Sequence, residues 1–215
     1  MQDWINRFFD IVSSGLALLI LAPLLFVIAL WVRLDSPGPV IFKQIRVGRS
    51  GEKFRVWKFR TMWQRGADSI DQHAEKILTS GRDPRITRAG AFLRTTSLDE
   101  LPQLWNIFKG DMSVVGPRPV LPEQQEVVPY QFRSRFEVRP GLTGLAQVRG
   151  RRSLGWLEQL AVDFEYVERR GIFLDLWIMI RTVVVLITGS GVYSADAQNW
   201  RDYRDLLNQQ KIQEQ

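Results

Sequence analysis

Two adjacent carboxylates, Asp99 and Glu100, stand between apolar residues near the middle of the chain. Several arginines surround them in sequence: Arg82, Arg85, Arg88 and Arg94 precede the pair, and Arg118 follows it. An acidic pair can bind a divalent cation, while guanidinium groups bind and screen phosphate oxygens. One carboxylate is then left free to act as a base or a nucleophile. This combination predicts chemistry on a phosphate group.

The same pair also has a purely structural interpretation. Ser97 is a residue type that opens helices, and acidic residues in a first turn favour the helix macrodipole. From these residues alone the structural interpretation is the stronger, since paired charges are often structural. Apolar residues recur with helical spacing after Ser97, at Leu98, Leu101, Leu104, Trp105 and Phe108. They predict an amphipathic helix that carries the acidic pair at its N-terminus, close to N–H groups that can hold a phosphate oxygen.

Composition limits the kinds of site and partner that are open to this protein. The 215 residues suffice for one domain, or for one domain with a membrane element. A net charge of +6 favours acidic partners, namely phospholipid, nucleotide or nucleic acid. The chain has no cysteine, which excludes disulfides, thiolate metal sites and a cysteine nucleophile. Its one histidine, His73, excludes a histidine metal cluster.

Residues 11–32 are uncharged and mostly apolar, about the length that crosses a hydrocarbon core as a helix. Pro23 lies in the middle and should bend that helix. Two shapes remain open at this point: a kinked spanning helix, or a re-entrant hairpin that returns to the same membrane face. Lysines and arginines crowd the C-terminal side, which points that side to the cytoplasm. They are Arg33, Lys43, Arg46, Arg49, Lys53, Arg55, Lys58 and Arg60.

The rest of the chain predicts a helix-dominated α+β protein with one β-hairpin, formed by strands at residues 40–45 and 53–59. Residues 65–79 are interpreted as a surface helix or a mobile segment, and residues 139–152 as a glycine-rich basic loop that approaches a ligand. A helix at residues 156–170 carries Asp163. Residues 172–187 predict an amphipathic helix in the membrane interface. We expect a membrane helix at residues 1–35, a catalytic domain at 36–195 and a polar tail, loosely ordered at its end, at 196–215.

Together these segments resemble the monotopic bacterial sugar transferases, a family of polyprenyl-phosphate phosphoglycosyl transferases, in their short form with the catalytic domain only. Five motifs carry the resemblance in the order typical of the family. They lie at residues 37–42, 58–62, 96–104, 109–119 and 139–144. Each motif alone is weak, but five in order across most of the chain form a specific signal.

The resemblance implies transfer of a phosphosugar from a UDP-sugar to undecaprenyl phosphate, with release of UMP and with Mg²⁺ as cofactor. Asp99 matches the family's nucleophile, which forms a covalent phosphosugar intermediate, and Glu100 matches the glutamate that binds the cation beside it. Further positions match family residues that contact phosphates or lie near the site: Lys58, Arg94, Arg118, Arg151 and Asp163. The family also implies a re-entrant helix-break-helix at Pro23. Here Ala22 stands where the family usually has serine.

The expected location is the bacterial inner membrane, with the active site on the cytoplasmic face. Expected partners are the UDP-sugar, undecaprenyl phosphate, membrane lipid and downstream glycosyltransferases of polysaccharide or glycoconjugate synthesis, for example of exopolysaccharide, lipopolysaccharide or capsule. A homodimer is left open, and no nucleic acid is expected because no nucleic-acid motif is present. Two alternatives remain: a membrane-bound glycosyltransferase that releases UDP, and a non-catalytic, basic membrane-anchored scaffold.

Overall fold

The computed structural model describes residues 2–63, 83–150, 153–188 and 199–213. The first part of the chain forms α1 (Gln2–Asp35), β1 (Ile41–Val47), β2 (Lys53–Phe59), α2 (Arg88–Thr96), α3 (Gln103–Lys109) and β3 (Ser113–Val115). The second part forms α4 (Pro122–Glu126), β4 (Gly141–Thr143), α5 (Leu145–Arg149), α6 (Trp156–Arg169), α7 (Ile172–Thr188) and α8 (Trp200–Gln213). The fold is a helix-dominated α+β arrangement with small sheets, as the sequence predicts. The segment 65–79 and Arg151 lie outside the described residues.

Helix α1 is a 34-residue helix that packs one side against the rest of the protein. Its buried residues Ile28 and Val32 contact Phe59 and Leu93. Among the described residues, it is the single helix long and apolar enough to cross a membrane by length and composition, with a mean hydropathy of 2.7 in its most apolar part. The helix continues through Pro23 without an interruption. The predicted break is therefore not seen in the structure.

Polar contacts join both ends of α1 to the same domain. At the N-terminal end, Asp3 forms ion pairs with Arg49 at 3.0 Å and with Arg170 at 3.1 Å. At the C-terminal end, Asp35 accepts a hydrogen bond from the backbone N–H of Ala89 at 3.0 Å. A carboxylate that receives charged or backbone donors is firmly placed. The two ends of this apolar helix are thus held by one body.

Strands β1 and β2 form the predicted antiparallel hairpin, in which Ile41 lies opposite Phe59 and Val47 opposite Lys53. Strand β1 runs two residues further than the sequence indicates. Arg60, directly after β2, is buried and donates to the backbone carbonyls of Val32 and Ser36 at 3.2 and 2.6 Å. The Arg60 side chain therefore connects the hairpin to the end of α1. The sequence alone was equally compatible with a solvent-exposed arginine at this position.

The glycine-rich segment near residue 141 differs from the predicted loop. It contains the short strand β4, which pairs in parallel with β3, and the short helix α5. A Cβ atom at Gly141 would lie 2.1 Å from the backbone nitrogen of Gly116, and one at Gly144 would lie 2.1 Å from the carbonyl oxygen of Gly116. These glycines allow two backbone segments to touch, because any side chain would separate them. The structure thus shows close backbone packing at these glycines, and the predicted approach of the segment to a ligand stays a prediction.

The predicted polar tail contains a helix, and residues 214–215 at its end, where loose order is expected, lie outside the described residues. Helix α8 occupies residues 200–213, and Trp200 at its start is only 7% exposed. The indole packs in an apolar cluster with Val47, Val120, Trp156 and Leu160. One buried aromatic side chain supplies enough apolar area to dock an otherwise polar helix. The polar composition of this segment gave no indication that Trp200 would be buried.

Candidate active site

The acidic pair lies in a tight turn between two helices. Helix α2 ends at Thr96, Ser97 adopts a left-handed conformation with φ of 59°, and a 3₁₀ turn covers Leu98–Glu100. Helix α3 begins only after Pro102, whose missing N–H suits a helix start. The predicted single helix opened by Ser97 is therefore wrong, and the Ser97 side chain makes no capping hydrogen bond. Asp99 and Glu100 lie at a corner of the chain.

Apolar neighbours hold this corner against α1 and the hairpin. Leu98 and Leu101, on either side of the acidic pair, pack on the cluster that contains Ile28 of α1 and Phe59 of β2. Leu93 of α2, fully buried, completes that cluster. Exposing these buried leucine side chains to water would cost free energy, so their packing fixes the turn in place. The carboxylates are consequently positioned next to the C-terminal half of α1.

Two cations bind the Glu100 carboxylate. The Nζ of Lys58 and the Nη2 of Arg118 each donate to its Oε1 atom at 2.7 Å. Burial alone would raise the pKa of Glu100, but Arg118 and Lys58 together hold it well below its usual range. Burial lowers the pKa of Lys58, and Glu100 beside it opposes that shift. Glu100 is therefore a fixed negative charge in a cationic setting.

The carboxylate of Asp99 has a different environment. Burial, followed by the negative charge of Glu100, raises its pKa, while Lys58, Arg94 and Arg118 act in the opposite direction. No hydrogen bond or ion pair joins its oxygens to another side chain within the part of the chain that the structure describes. Two neighbouring carboxyl groups whose surroundings move their pKa values apart are suited to different roles. Of the two carboxylates, Asp99 is the one left without a side-chain hydrogen-bond partner among the described residues.

Arg94 and Arg46 add positive charge on the protein side of the site. The charge of Arg94 acts on Asp99, and its Nη1 atom is buried without a hydrogen-bond partner among the described residues. Arg46 donates to the backbone carbonyl of Pro119 at 3.3 Å, and the charges of Arg118 and Glu100 both act on it. Burial lowers the pKa of Arg46 to about 10, and Arg118 adds to that shift. The site is therefore richer in cations than in carboxylates, as an anionic substrate requires.

Arg46 was not among the predicted site residues, because the sequence assigned it only a role in membrane orientation. The pairing of β1 with β2 shows the signal that could have found it. Phe42 lies opposite Lys58, and Arg46 lies four residues after Phe42. Since side chains alternate along a strand, residues an even number apart share a face, so Arg46 and Lys58 project from the same side of the hairpin. A strand prediction extended by two residues would have included it.

Asp163 lies behind the site rather than at its surface. It is 3% exposed, and its Oδ2 atom accepts a hydrogen bond from the Nη2 of Arg135 at 2.8 Å. The same nitrogen lies 2.9 Å from the backbone carbonyl oxygen of Arg118. Burial raises the pKa of Asp163 to about 6, although Arg135 beside it acts in the opposite direction. Asp163 is thus connected to the acidic pair through two arginines.

The structure brings together five of the predicted residues: Lys58, Arg94, Asp99, Glu100 and Arg118. It separates Asp163 from them by one layer of side chains. Arg151 cannot be placed, since it lies outside the described residues. The predicted phosphate-binding roles of Asp163 and Arg151 stay predictions.

The residues present fit a magnesium ion that shares its ligands with a substrate. No group of three or more acidic or histidine side chains suited to a metal occurs in the described ranges, where the acidic pair Asp99 and Glu100 is the set of carboxylates that the site offers. Mg²⁺ in proteins is commonly held by one or two carboxylates together with substrate phosphates and water. The donor set therefore suits Mg²⁺ bound with a diphosphate rather than a metal held by protein alone.

Fold and site together place an acidic pair among several cations beside an apolar helix, an arrangement suited to binding phosphate groups. The chain matches the model of the bacterial sugar transferase family over residues 1–189 and belongs to that family.

Three relatives illustrate what the chain is similar to. A UDP-glucose:undecaprenyl-phosphate glucose-1-phosphate transferase of Caulobacter vibrioides is 40% identical over 200 residues, covering 89% of this chain and 73% of that protein. The exopolysaccharide production protein PSS of Rhizobium leguminosarum is 45% identical over 198 residues, covering 86% and 96%. The exopolysaccharide production protein ExoY of Rhizobium meliloti is 37% identical over 200 residues, covering 87% and 88%.

Proposed function

We propose that this protein transfers a sugar 1-phosphate from a UDP-sugar to undecaprenyl phosphate through a covalent intermediate on Asp99. The observation that carries the proposal is the contrast between the two neighbouring carboxylates. Glu100 is bound by Lys58 and Arg118 at 2.7 Å, whereas Asp99 has no such partner among the described residues. A carboxylate attacks a diphosphate only when nearby cations offset the repulsion between the anions. The site supplies those cations around a carboxylate that is free to react.

In the first step an oxygen of Asp99 attacks the β-phosphorus of the UDP-sugar, the phosphorus that carries the sugar. The bond between this phosphorus and the bridging oxygen breaks, and UMP leaves with the bonding electrons. In the second step an oxygen of undecaprenyl phosphate attacks the same phosphorus. The bond to Asp99 breaks, which regenerates the carboxylate and yields undecaprenyl-diphosphate sugar. Lys58, Arg94 and Arg118 orient the phosphate oxygens during both steps. Glu100 and Asp99 are the residues that would hold Mg²⁺, which would supply further charge neutralisation.

The names of the relatives support UDP-glucose as the first donor to test. The Caulobacter protein is named for transfer of glucose 1-phosphate, and two other relatives are named for exopolysaccharide production. We accordingly place the reaction at the start of exopolysaccharide synthesis, where glycosyltransferases would extend the lipid-linked sugar.

We propose that α1 remains on one side of the bilayer, so that the whole protein is monotopic on the cytoplasmic face of the inner membrane. A spanning helix would separate its two ends by the thickness of the hydrocarbon core. Asp3 and Asp35, near the ends of α1, both contact the same domain. Large apolar side chains remain exposed along α1 and on α7: among them are Trp4, Phe8, Leu19, Ile20, Phe26, Phe173 and Ile187. Membrane lipid is the environment that suits such a surface.

The position of the site supports a lipid phosphate as acceptor. The leucines beside the acidic pair pack against α1, so Asp99 lies next to the helix that we place in the membrane. A long polyprenyl chain could stay in the lipid while its phosphate reaches Asp99.

The nucleotide product tests the reaction type. The protein in nanodiscs would receive Mg²⁺, undecaprenyl phosphate and a panel of UDP-sugars, and UMP and UDP would be quantified separately. We expect UMP, and UDP-glucose as the productive donor. UDP in place of UMP would contradict the proposal, because it would indicate transfer of the sugar alone. No nucleotide release with any donor would favour the non-catalytic scaffold.

The absence of cysteine from the chain makes the membrane arrangement directly testable. Single cysteines would be introduced at Gln2, at the start of α1, and at the exposed Gln131 in the catalytic domain as the control. We expect a membrane-impermeant maleimide to label both positions in inside-out vesicles and neither in intact spheroplasts. Labelling of Gln2→Cys from the periplasmic side alone would show that α1 spans the bilayer and would overturn the monotopic proposal.

A further inference from the structure

Arg118 lies in a segment whose backbone is held at every carbonyl from residue 117 to residue 120. The carbonyl of Pro117 accepts from the N–H of Gly141 at 2.9 Å, and that of Val120 accepts from the N–H of Val47 at 2.9 Å. The two carbonyls between them, of Arg118 and Pro119, accept instead from the side chains of two arginines. Arg135 donates to the first at 2.9 Å and Arg46 to the second at 3.3 Å.

The two prolines around Arg118 make its side chain sensitive to the position of this backbone. Each proline fixes its own φ angle, and Pro119 also restricts the residue before it to extended conformations. Because few backbone conformations are available to residue 118, the position of its carbonyl group largely determines the position and direction of its side chain. That group reaches Glu100 at 2.7 Å. A small displacement of the carbonyl would therefore move a cation at the reaction centre.

Arg135, which donates to the Arg118 carbonyl, is unusual because it is a buried charged side chain. It is 4% exposed, and its ion pair with Asp163 is buried on both sides. Its Nε and Nη1 atoms have no hydrogen-bond partner among the described residues. Burying a charged pair is often no more stabilising than apolar residues of similar size. We therefore look for the function of this ion pair in its geometry rather than in stability. The Nη2 atom of Arg135 joins the Asp163 carboxylate to the Arg118 carbonyl.

We propose that Arg135, held by Asp163, is a positioning residue that places Arg118 against Glu100 and the substrate diphosphate. This inference rests on the proposed function. It gives Asp163 a role that involves no contact with phosphate: its carboxylate holds Arg135, and Arg135 holds the backbone of residues 117–120. Arg135 was not predicted from the sequence, because its nearest neighbours gave no sign of a connection to residue 118.

The test is a double-mutant cycle between the buried pair and Arg118. The pair would be replaced together by apolar residues, as Arg135→Met with Asp163→Leu, in the wild-type and in the Arg118→Ala backgrounds. Replacing both partners avoids leaving one buried charge unpaired. The measured quantities are kcat/KM for UMP release, the Kd for UDP and the Tm of the protein in nanodiscs. Arg169→Gln, which removes a surface ion pair from the same helix α6, is the matched control.

We expect the paired replacement to lower kcat/KM by about tenfold or more in the wild-type background, and by less than about threefold when Arg118 is already absent. The Kd for UDP should show the same pattern, and the control should match the wild-type protein. Equal losses in both backgrounds, or unchanged kcat/KM and Kd with an unchanged Tm, would overturn the positioning role. If the paired variant does not fold, Arg135→Lys replaces it in the same cycle, because lysine keeps a positive charge beside Asp163 but lacks the planar fork that joins Asp163 to the Arg118 carbonyl. A wild-type protein that released no UMP would contradict the proposed function, while the UDP-binding cycle would still decide this inference.

Discussion

Asp99→Asn is expected to abolish UMP release and to prevent formation of any phosphosugar adduct on the protein. The amide of asparagine is nearly isosteric with the carboxylate, but it lacks the negative oxygen that attacks phosphorus. Loss of a covalent nucleophile typically lowers kcat by about four orders of magnitude or more. The measurements are steady-state UMP release and the intact mass of protein incubated with UDP-sugar in the absence of the lipid acceptor.

The wild-type protein should gain the mass of one sugar phosphate in that incubation and release one equivalent of UMP. Asp205→Asn provides a control, because it removes an exposed carboxylate on α8, far in sequence from the acidic pair. It should behave as the wild-type protein does. If Asp99→Asn kept turnover within about tenfold of wild type, a covalent step on Asp99 would be excluded.

Glu100→Gln is expected to produce the second largest effect and a different one. The change removes the charge that Lys58 and Arg118 share, so both cations lose a partner and one expected magnesium ligand is lost. We expect kcat/KM to fall by about 10²–10³-fold, as when a single preorganised electrostatic contact is removed. The Mg²⁺ concentration for half-maximal rate should rise. A titration of UMP release against Mg²⁺ at several UDP-sugar concentrations measures both effects.

Glu165→Gln is the matched control for this experiment. Glu165 also accepts from two arginines, Arg149 and Arg169, but at the surface of α6. The Glu165→Gln substitution removes the same kind of ion pair at a position away from the acidic pair. We expect little change in rate or in Mg²⁺ dependence, since exposed ion pairs contribute little. A Glu100→Gln protein with the wild-type rate and the wild-type Mg²⁺ titration would contradict a role for Glu100 in metal binding.

The elements that the sequence predicted well are those whose pattern is local. The β-hairpin follows from alternation around a glycine-containing turn, and helix α6 begins at the predicted Trp156 and ends one residue early. The end of α3 follows from Gly110, which adopts the left-handed conformation that glycine alone adopts readily. Each of these features depends on residues a few positions apart, so neighbouring residues suffice to specify it.

The features that the sequence missed depend on contacts between distant segments. Trp200 docks α8 through residues that are far away along the chain, and a polar composition gives no indication of that contact. The glycines near residue 141 indicated a close approach to the backbone, but not that the backbone of Gly116 is what lies against Gly141 and Gly144. In both cases the residue type was informative, but its partner could be identified only in three dimensions.

The same division holds for the candidate site. The sequence by itself determined that an acidic pair and several cations occur in a chain with one strongly apolar segment, and ordered motifs related that chain to the bacterial sugar transferases. Only the tertiary structure decided that Lys58 and Arg118 bind Glu100 and leave Asp99 without a partner among the described residues. Charge pairing falls steeply with distance, and folding sets the distances between residues 58, 100 and 118. The sequence therefore specified the chemical groups, and the fold set which of them pair.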